Sequence, residues 1–141
     1  MATDVTHRSL SVERRAPGRF AAVNSRGGRI AVGTGADEEF TPTELLLVAI
    51  GGCTAIDVDI LTSRRAEPES FEIVVDADKV RDQGGNHLTN IEVTYRLTFP
   101  AGAVGDQARA ILPEAVRQSN ERLCTVGRTV ELATPVATRI E

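Results

Sequence analysis

The segment that begins at Thr41 constrains the fold more than any other part of the chain. Within Thr41–Glu44 the first residue is a capping hydroxyl, the second is proline and the fourth is an acid three positions after the cap, a pattern that starts α-helices. From Leu45 to Ile56 almost every residue is apolar or glycine, so the helix has no polar stripe to face water. The sequence therefore predicts a central helix, buried on all sides, that ends near Arg64–Arg65 before Pro68.

The segments around this helix favour antiparallel β-structure. Val5–Val32 alternates unevenly between apolar and polar residues and is broken twice by turn residues, which predicts three short strands. Phe71–Val80 and Leu88–Phe99 are rich in β-branched residues and alternate with a period near two. Gln83–Asn86, with two central glycines, lies between them and predicts a long hairpin.

The C-terminal third predicts a second helix followed by a strand. Gly102–Leu123 carries apolar residues at helical spacing, with Pro113 marking a kink or a second start. Cys124 is expected at the C-terminal end of this helix. Thr129–Ile140 is expected to close the fold as a final strand that is interrupted at Pro135.

Composition indicates one domain over residues 1–141 and excludes some partners. The chain has 141 residues, 41% of them hydrophobic, which is a common size for a single domain. Its net charge is -4, its basic residues are scattered and it has no Trp, so no nucleic-acid partner is expected. The polar start lacks an apolar leader, and the apolar run Leu45–Cys53 is too short to cross a bilayer. We therefore expect a cytoplasmic protein without a membrane partner.

The two cysteines are the candidates for covalent chemistry. Cys53 follows Gly51–Gly52, where missing side chains let another element pack closely. Arg122 and Arg128 flank Cys124, and positive charge favours the reactive thiolate. In a reducing cytoplasm a structural disulfide is not expected. The residues alone leave two alternatives open: a catalytic dithiol, or two inert core thiols.

Other kinds of site have little support in the sequence. There is no C-x-x-C, and His7 and His87 are far from both cysteines in sequence, so no metal is expected. Gly27–Gly28 and Gly33–Gly35 lack the spacing of a phosphate-binding loop. No G-x-S-x-G elbow presents a hydrolase nucleophile. The sequence therefore predicts no cofactor.

Two stretches of the chain resemble a known family. Thr41–Asp57, which reads TPTELLLVAIGGCTAID, and Leu123–Val126, which reads LCTV, are similar to the motifs of the OsmC/Ohr family of osmotically induced and organic-hydroperoxide-resistance proteins. The predicted order of strands, helix, hairpin, helix and strand also agrees with that family. The resemblance implies an α+β, OsmC-like fold with antiparallel sheets. It also implies an intertwined homodimer whose central helices pack together, with active sites at the subunit interface.

The resemblance further implies a thiol peroxidase. Cys53, as thiolate, would attack an organic hydroperoxide and become a sulfenic acid, which Cys124 would resolve into a disulfide. A dithiol reductant of lipoyl type would reset the enzyme. The family's peroxidases also use an arginine from the N-terminal strands to hold the thiolate and polarise the peroxide. Arg19 is the best match, and Arg29 is the alternative.

The chain departs from the family pattern at the start of the cysteine helix. Family peroxidases carry a glutamate ten positions before the cysteine, where this chain has Thr43, and Glu44 is one position off. In a regular helix Glu44 would lie on the opposite face from Cys53, so a capping role is expected for it. This departure keeps an alternative function open: a non-catalytic dimeric stress or small-molecule-binding protein with the same fold.

Overall fold

The computed structural model describes residues 3–141. The chain divides into two compact units: the first ends at Leu46, and the second runs from Leu47 to Glu141. The boundary lies inside a helix, and the two units are described separately below. The single domain expected for the chain stays a prediction.

The first unit is built on a three-stranded antiparallel sheet. Its strands are β1 (Leu10–Ala16), β2 (Arg19–Asn24) and β3 (Arg29–Val32), and β2 lies in the middle. A tight turn joins β1 to β2 at Gly18, whose φ of 70° is a conformation that glycine adopts without strain. The three short strands predicted for this region are confirmed.

Helix α1 (Pro42–Ser63) begins and ends close to the predicted positions. The backbone N–H of Thr41 donates to Glu44 Oε1 at 2.9 Å, and the backbone N–H of Glu44 donates to Thr41 Oγ1 at 3.1 Å. These reciprocal bonds form the predicted capping box. The helix stops directly before Arg64, so the predicted C-terminus is also confirmed.

Two opposite faces of α1 have different surroundings. The buried face carries residues spaced four apart: Ile50, Thr54, Val58 and Thr62. The other face exposes Val48, Ile56 and Ile60 by 50%, 64% and 50%, with Gly52 between them. Because residues two apart differ by about 200° around a helix axis, the two faces are opposite. Within one chain, the prediction that α1 is buried on all sides is therefore wrong.

The length and composition of α1 are those of a helix able to cross a membrane. It has 22 residues and a mean hydropathy of 1.9 over its most apolar window. The expectation that no segment could cross a bilayer considered only the shorter apolar run Leu45–Cys53, which lies inside this helix. The core helix of a soluble protein can have the same length and hydropathy. Several side chains of α1 bond or pack within the second unit, as described below, and we interpret it as such a core helix.

The second unit packs α1 against the predicted hairpin. Strands β4 (Ser70–Asp82) and β5 (Gly85–Thr98) pair antiparallel along most of their lengths. Gly51 of α1 faces β4 so closely that a Cβ atom there would lie 2.5 Å from Val75 Cγ2. The glycine is therefore required for this helix to approach the sheet. The hairpin prediction is confirmed.

The chain then forms α2 (Ala103–Gln118), a π-helical turn (Ser119–Leu123) and α3 (Thr125–Glu131). Pro113 lies inside α2 without ending it, and Ala108 packs with Ala66 and Phe99 in a small core. The predicted C-terminal strand over Thr129–Ile140 is wrong, because Thr129 is helical and the residues after Glu131 have no regular structure.

Local bonds explain why helix prevails over the β-branched composition of this segment. Cys124 caps the start of α3 with its sulfur, which accepts a bond from the Gly127 N–H at 3.2 Å. The Thr129 hydroxyl donates to the Thr125 carbonyl at 2.7 Å. These contacts satisfy helical backbone groups, which is how capping overrides propensity.

Candidate functional site

Cys53 lies on the flank of α1 between its buried and exposed faces. Thr54, on the buried face, and Gly52, on the exposed face, each lie about 100° away around the helix axis. The Cys53 side chain is accordingly half-buried. This position is intermediate between the interior of the second unit and the exposed face of α1.

Cys124 lies at the junction between the π-turn and α3. Its backbone N–H donates to the Ser119 carbonyl at 2.9 Å, a bond that spans five residues and closes the π-turn. Its thiol caps α3, and the residue is only 4% exposed. Cys124 thus ends one helix, as predicted, and also begins the next. Single π-turns of this kind are frequent at functional sites.

The structure brings the two cysteines together. Both are free thiols, and Cys53 lies near enough to Cys124 to raise the pKa of the Cys124 thiol. The two residues are distant in sequence, and α1 and the π-turn carry them into the same part of the second unit. The pair is therefore arranged as a reduced dithiol.

The surroundings of Cys124 disfavour its thiolate. Burial raises the pKa of the Cys124 thiol, and the neighbouring Cys53 and the negative charge of Asp57 raise it further, whereas only the Gly127 N–H lowers it. The expectation that Arg122 and Arg128 hold Cys124 as a thiolate is therefore wrong. Adjacency in sequence does not set proximity here, because Arg122 lines a separate surface depression.

A cluster of four polar side chains lies beside the cysteines. Ser119 Oγ is 2.9 Å from Thr54 Oγ1 and 2.8 Å from Asp57 Oδ2, and Thr54 Oγ1 is 2.6 Å from the Tyr95 hydroxyl. Ser119 and Thr54 are buried, so these bonds replace those that water would make. The cluster joins α1, β5 and the π-turn.

Counting protons shows how the cluster is oriented. Each of the three hydroxyls has one proton to donate, and an ionised carboxylate only accepts. When the Ser119 proton goes to Asp57, the Ser119–Thr54 contact uses the Thr54 proton, and the Thr54–Tyr95 contact uses the Tyr95 proton. The phenol oxygen of Tyr95 then remains as a hydrogen-bond acceptor.

A mostly apolar pocket of about 350 Å³ opens beside this cluster. It is lined by Ile50, Thr54, Ile91, Val93, Tyr95, Asn120, Cys124, Gly127, Val130 and Glu131. Burial raises the pKa of the Tyr95 phenol, and the charges of Cys124 and Asp57 add to the shift while the Thr54 bond opposes it. The phenol is therefore neutral at physiological pH. A small organic molecule with one polar end suits such a lining.

The candidate arginines lie in the first unit. The Arg19 guanidinium, on β2, pairs with Asp37 at 3.2 Å, and Arg29, at the start of β3, lies 3.8 Å from Glu13. Arg19 has the shorter ion pair, and both side chains are more than half exposed. Their roles at the thiol pair stay predictions.

Glu44 acts in the capping box. Bonds to the backbone and side chain of Thr41 lower the pKa of the Glu44 carboxyl, and Thr43 is exposed beside it. The capping role expected for Glu44 is confirmed. Among residues 3–141, no group of three or more His, Cys, Asp and Glu side chains is arranged to hold a metal ion. His87 lies on β5 at 3.7 Å from Asp82.

Three residues of the site were missed in the sequence: Asp57, Tyr95 and Ser119. Asp57 is one helical turn after Cys53, so the i, i+4 rule could have placed the two on one flank. Ser119 occupies an apolar position in the helical pattern of α2, which is a sign of a buried polar contact. Tyr95 had no comparable sign, because its position depends on how the hairpin packs on α1.

Comparisons with known proteins agree with this fold. Residues 35–139 match the family described as OsmC-like protein. An uncharacterized protein of Mycobacterium tuberculosis is 31% identical over 128 residues, which cover 90% of this chain and 91% of that protein.

Two solved structures are also similar. A hypothetical protein from Aquifex aeolicus superposes with a TM-score of 0.73 at 26% identity, covering 92% of this chain and 91% of that one. The organic hydroperoxide resistance protein OhrB of Bacillus subtilis shares the fold, with a TM-score of 0.53 at 15% identity over 86% of this chain and 90% of that one. Because the family match covers most of the sequence and the fold agrees, this chain belongs to the OsmC/Ohr family of OsmC-like proteins.

Proposed function

We propose that this protein is a cysteine-based peroxidase that reduces organic hydroperoxides. The observation that carries the proposal is that Cys53 and Cys124 are neighbours and that Cys124 lines a mostly apolar pocket. Two neighbouring thiols can form the disulfide that the catalytic cycle requires once their sulfurs approach to about 2 Å. The fold shared with an organic hydroperoxide resistance protein adds support.

The two cysteines have different roles in the proposed cycle. The Cys53 thiolate attacks the terminal oxygen of the hydroperoxide, the O–O bond breaks, and the alkoxide takes a proton and leaves as the alcohol. Cys53 is then a sulfenic acid. Cys124 attacks its sulfur, a disulfide forms and water leaves. A dithiol reductant of lipoyl type restores both thiols and is itself oxidised to a disulfide.

Burial and exposure support this division of labour. Cys53 is half-buried on the flank of α1, whereas Cys124 is buried and its raised pKa keeps it protonated at neutral pH. The Cys124 S–H can donate to the Cys53 sulfur, and a bond donated to a thiolate stabilises it. Cys53 is therefore the attacking sulfur and Cys124 the resolving one.

Arg19 is proposed to assist the attack on the peroxide. A guanidinium near the reacting sulfur stabilises the thiolate and polarises the O–O bond. We prefer Arg19 to Arg29 because it is the better match to the family pattern.

The protein is further proposed to be a cytoplasmic homodimer. Val48, Gly52, Ile56 and Ile60 form a stripe on α1 that is spaced four residues apart and is not covered within the chain. At Gly52, apart from its chain neighbours and the helix's own backbone, no atom of residues 3–141 lies within 4 Å of where a Cβ would be, so a second helix can approach there. Packing against the same stripe of a partner would bury this apolar face.

The test is stopped-flow oxidation of the fully reduced protein by cumene hydroperoxide and by hydrogen peroxide. Intact-mass and peptide mass spectrometry follow the disulfide. We expect faster oxidation by the organic peroxide, because the pocket lining is mostly apolar. The product is expected to contain one disulfide between Cys53 and Cys124.

Two variants separate the roles of the cysteines. Cys53→Ser should abolish rapid oxidation. Cys124→Ser should consume one equivalent of peroxide at the parental rate and accumulate a sulfenic acid at Cys53, which dimedone traps, but it should not turn over with dithiol. Equal steady-state turnover in Cys124→Ser and the parent would exclude the resolving role of Cys124.

One observation favours a second candidate function, a non-catalytic stress or small-molecule-binding protein. The family glutamate ten positions before the cysteine is replaced by Thr43 in this chain, and the acid one position later, Glu44, is held in the capping box. Slow oxidation that does not discriminate between the two peroxides would favour this function. Binding of cumyl alcohol to the pocket without turnover, measured by calorimetry, would then support it.

A further inference from the structure

Ser119 makes three contacts that together connect the two cysteines. Its carbonyl accepts the Cys124 N–H at 2.9 Å. Its hydroxyl lies 2.9 Å from Thr54 Oγ1, on the residue next to Cys53, and 2.8 Å from Asp57 Oδ2, one helical turn further along. Ser119 is 0% exposed, so these bonds are not exchanged for bonds to water.

The contacts lie on the two sides of the dithiol. One side is α1, which carries Cys53, and the other is the π-turn, which carries Cys124. Within the contacts described here, the Ser119 hydroxyl is the polar group that joins the turn directly to α1. The remaining polar member of the cluster, Tyr95, bonds only to Thr54 of α1.

We propose that Ser119 is a positioning residue for disulfide formation, because its hydroxyl holds the turn carrying Cys124 in register with the helix carrying Cys53. This inference rests on the Cys53–Cys124 disulfide of the proposed function. It assigns Ser119 no contact with the peroxide.

The step that Ser119 serves is the closing of the disulfide. The Cys124 sulfur bonds to the Cys53 sulfur, and the S–O bond of the sulfenic acid breaks. The departing hydroxide takes up the thiol proton and leaves as water; the Cys124 sulfur is oxidised and the Cys53 sulfur reduced. Such a reaction between two groups of one chain depends steeply on their relative placement, and a misplacement of about 1 Å can lower its rate by about a hundredfold.

The matched control is Thr62, another fully buried hydroxyl on the same helix. Thr62 Oγ1 donates to the Val58 carbonyl of α1 itself at 2.9 Å. Thr62→Val therefore removes a buried hydrogen bond of comparable length without altering a link between the two cysteine-bearing elements. Any general loss of stability on removing a buried hydroxyl should appear in this variant as well.

The experiment measures the equilibrium of the disulfide without peroxide. The parent, Ser119→Ala, Thr54→Val and Thr62→Val are equilibrated with graded ratios of reduced and oxidised glutathione, and mass spectrometry quantifies the internal disulfide. Glutathione disulfide supplies the oxidising equivalents and is reduced to two thiols. Circular dichroism at the assay temperature checks that every variant is folded.

We expect Ser119→Ala to lower the equilibrium constant for the internal disulfide by about tenfold or more. Thr54→Val, which removes the link from the α1 side, should lower it in the same direction. Thr62→Val should stay within about twofold of the parent.

Three results would overturn the proposal: a Ser119→Ala constant equal to that of the parent, an equal loss in Thr62→Val, or a parent that forms no internal disulfide at any ratio. The proposed peroxidase activity fails in a different way, through slow reaction with cumene hydroperoxide. A parent that closes the disulfide with glutathione but reacts slowly with peroxide would therefore retain the role of Ser119 and exclude the enzyme.

Discussion

At the scale of single residues, the two cysteines differ in their surroundings. Cys53 is a half-buried residue on a helix flank, whereas Cys124 is buried near the negative charge of Asp57 and caps a helix with its sulfur. A capping sulfur accepts a backbone N–H, which partly offsets the effect of burial on its pKa. The surroundings of Cys124, rather than the arginines beside it in sequence, therefore set the direction of its pKa shift.

The raised pKa of Cys124 predicts how stability depends on pH. An unfolded cysteine has a pKa of about 8.5, and the folded value lies above its ordinary one. Between these two values the unfolded chain binds fewer protons than the folded one. The free energy of unfolding should therefore fall as pH rises from about 8 to about 9.5, by at most about 1.4 kcal/mol per pH unit for one proton.

Urea denaturation under a phosphine reductant tests this dependence. Cys124→Ser lacks the titrating group, so its free energy of unfolding should fall less steeply than that of the parent over the same interval. The pH interval ends below the ordinary pKa of tyrosine, so the ionisation of Tyr95 contributes little to the change in stability. Parallel slopes in the two proteins would show that Cys124 titrates at the same pH when folded and unfolded.

At the scale of elements, α1 uses two neighbouring glycines for two purposes. Gly51 faces the hairpin at a distance that excludes a side chain, whereas the space at Gly52 is open within the chain. The prediction that another element packs closely at Gly51–Gly52 is thus correct for Gly51 only. The sequence could not distinguish the two, because adjacent helical positions differ only in the direction they face.

Gly51→Ala should destabilise the packing of α1 on β4. Its methyl group would lie 2.5 Å from Val75 Cγ2, and overpacking of this kind costs about 1–3 kcal/mol. The gain in helix propensity from glycine to alanine, about 1 kcal/mol, offsets part of this cost. The free energy of unfolding, measured by urea denaturation, should fall by up to about 2 kcal/mol.

A double-mutant cycle identifies the cause of that loss. Val75→Ala removes the methyl group that the new side chain meets, so Gly51→Ala should cost at least about 0.5 kcal/mol less in the Val75→Ala background. Gly52→Ala is the control, and its free energy of unfolding is measured at one protein concentration. It reports the gain in helix propensity from glycine to alanine without the contact to Val75. Additive effects of the Gly51 and Val75 substitutions would show that the two side chains do not compete for space.

At the scale of the whole molecule, the uncovered apolar stripe of α1 is the main sign of a second copy. Ile56 is at its centre and is 64% exposed in the single chain. Ile56→Glu would place a charge in the proposed interface, and burying an unpaired charge is costly. The variant should therefore dissociate into monomers at concentrations where the parent is a dimer.

Sedimentation equilibrium over a range of concentrations measures this change. Val104→Glu on α2 is the matched control, since Val104 is 54% exposed and lies outside the stripe. It should leave the association constant within about threefold of the parent, as a typical surface change would. A parent that is monomeric at all concentrations, or an Ile56→Glu variant that associates as the parent does, would contradict the dimer.

Local chemistry in the sequence was sufficient for much of the fold. The capping box at Thr41, the helix end before Arg64 and the glycine turn of the hairpin each depend on residues within a few positions of one another. The family motif around Cys53 is also local. These features hold in the structure because no distant contact opposes them.

The tertiary structure alone decided how distant residues meet. The π-turn at Ser119 and the sulfur cap of Cys124 replaced a predicted strand by α3, and the same turn carries Cys124 to Cys53. Secondary-structure propensities predict neither the π-turn nor the sulfur cap. A hydrogen bond that spans five residues and a capping thiol are both exceptions to the usual helix pattern. The pKa of Cys124 and the Tyr95–Thr54–Ser119–Asp57 cluster depend on the packing of three separate elements, and packing is a property of the folded chain rather than of any segment of its sequence.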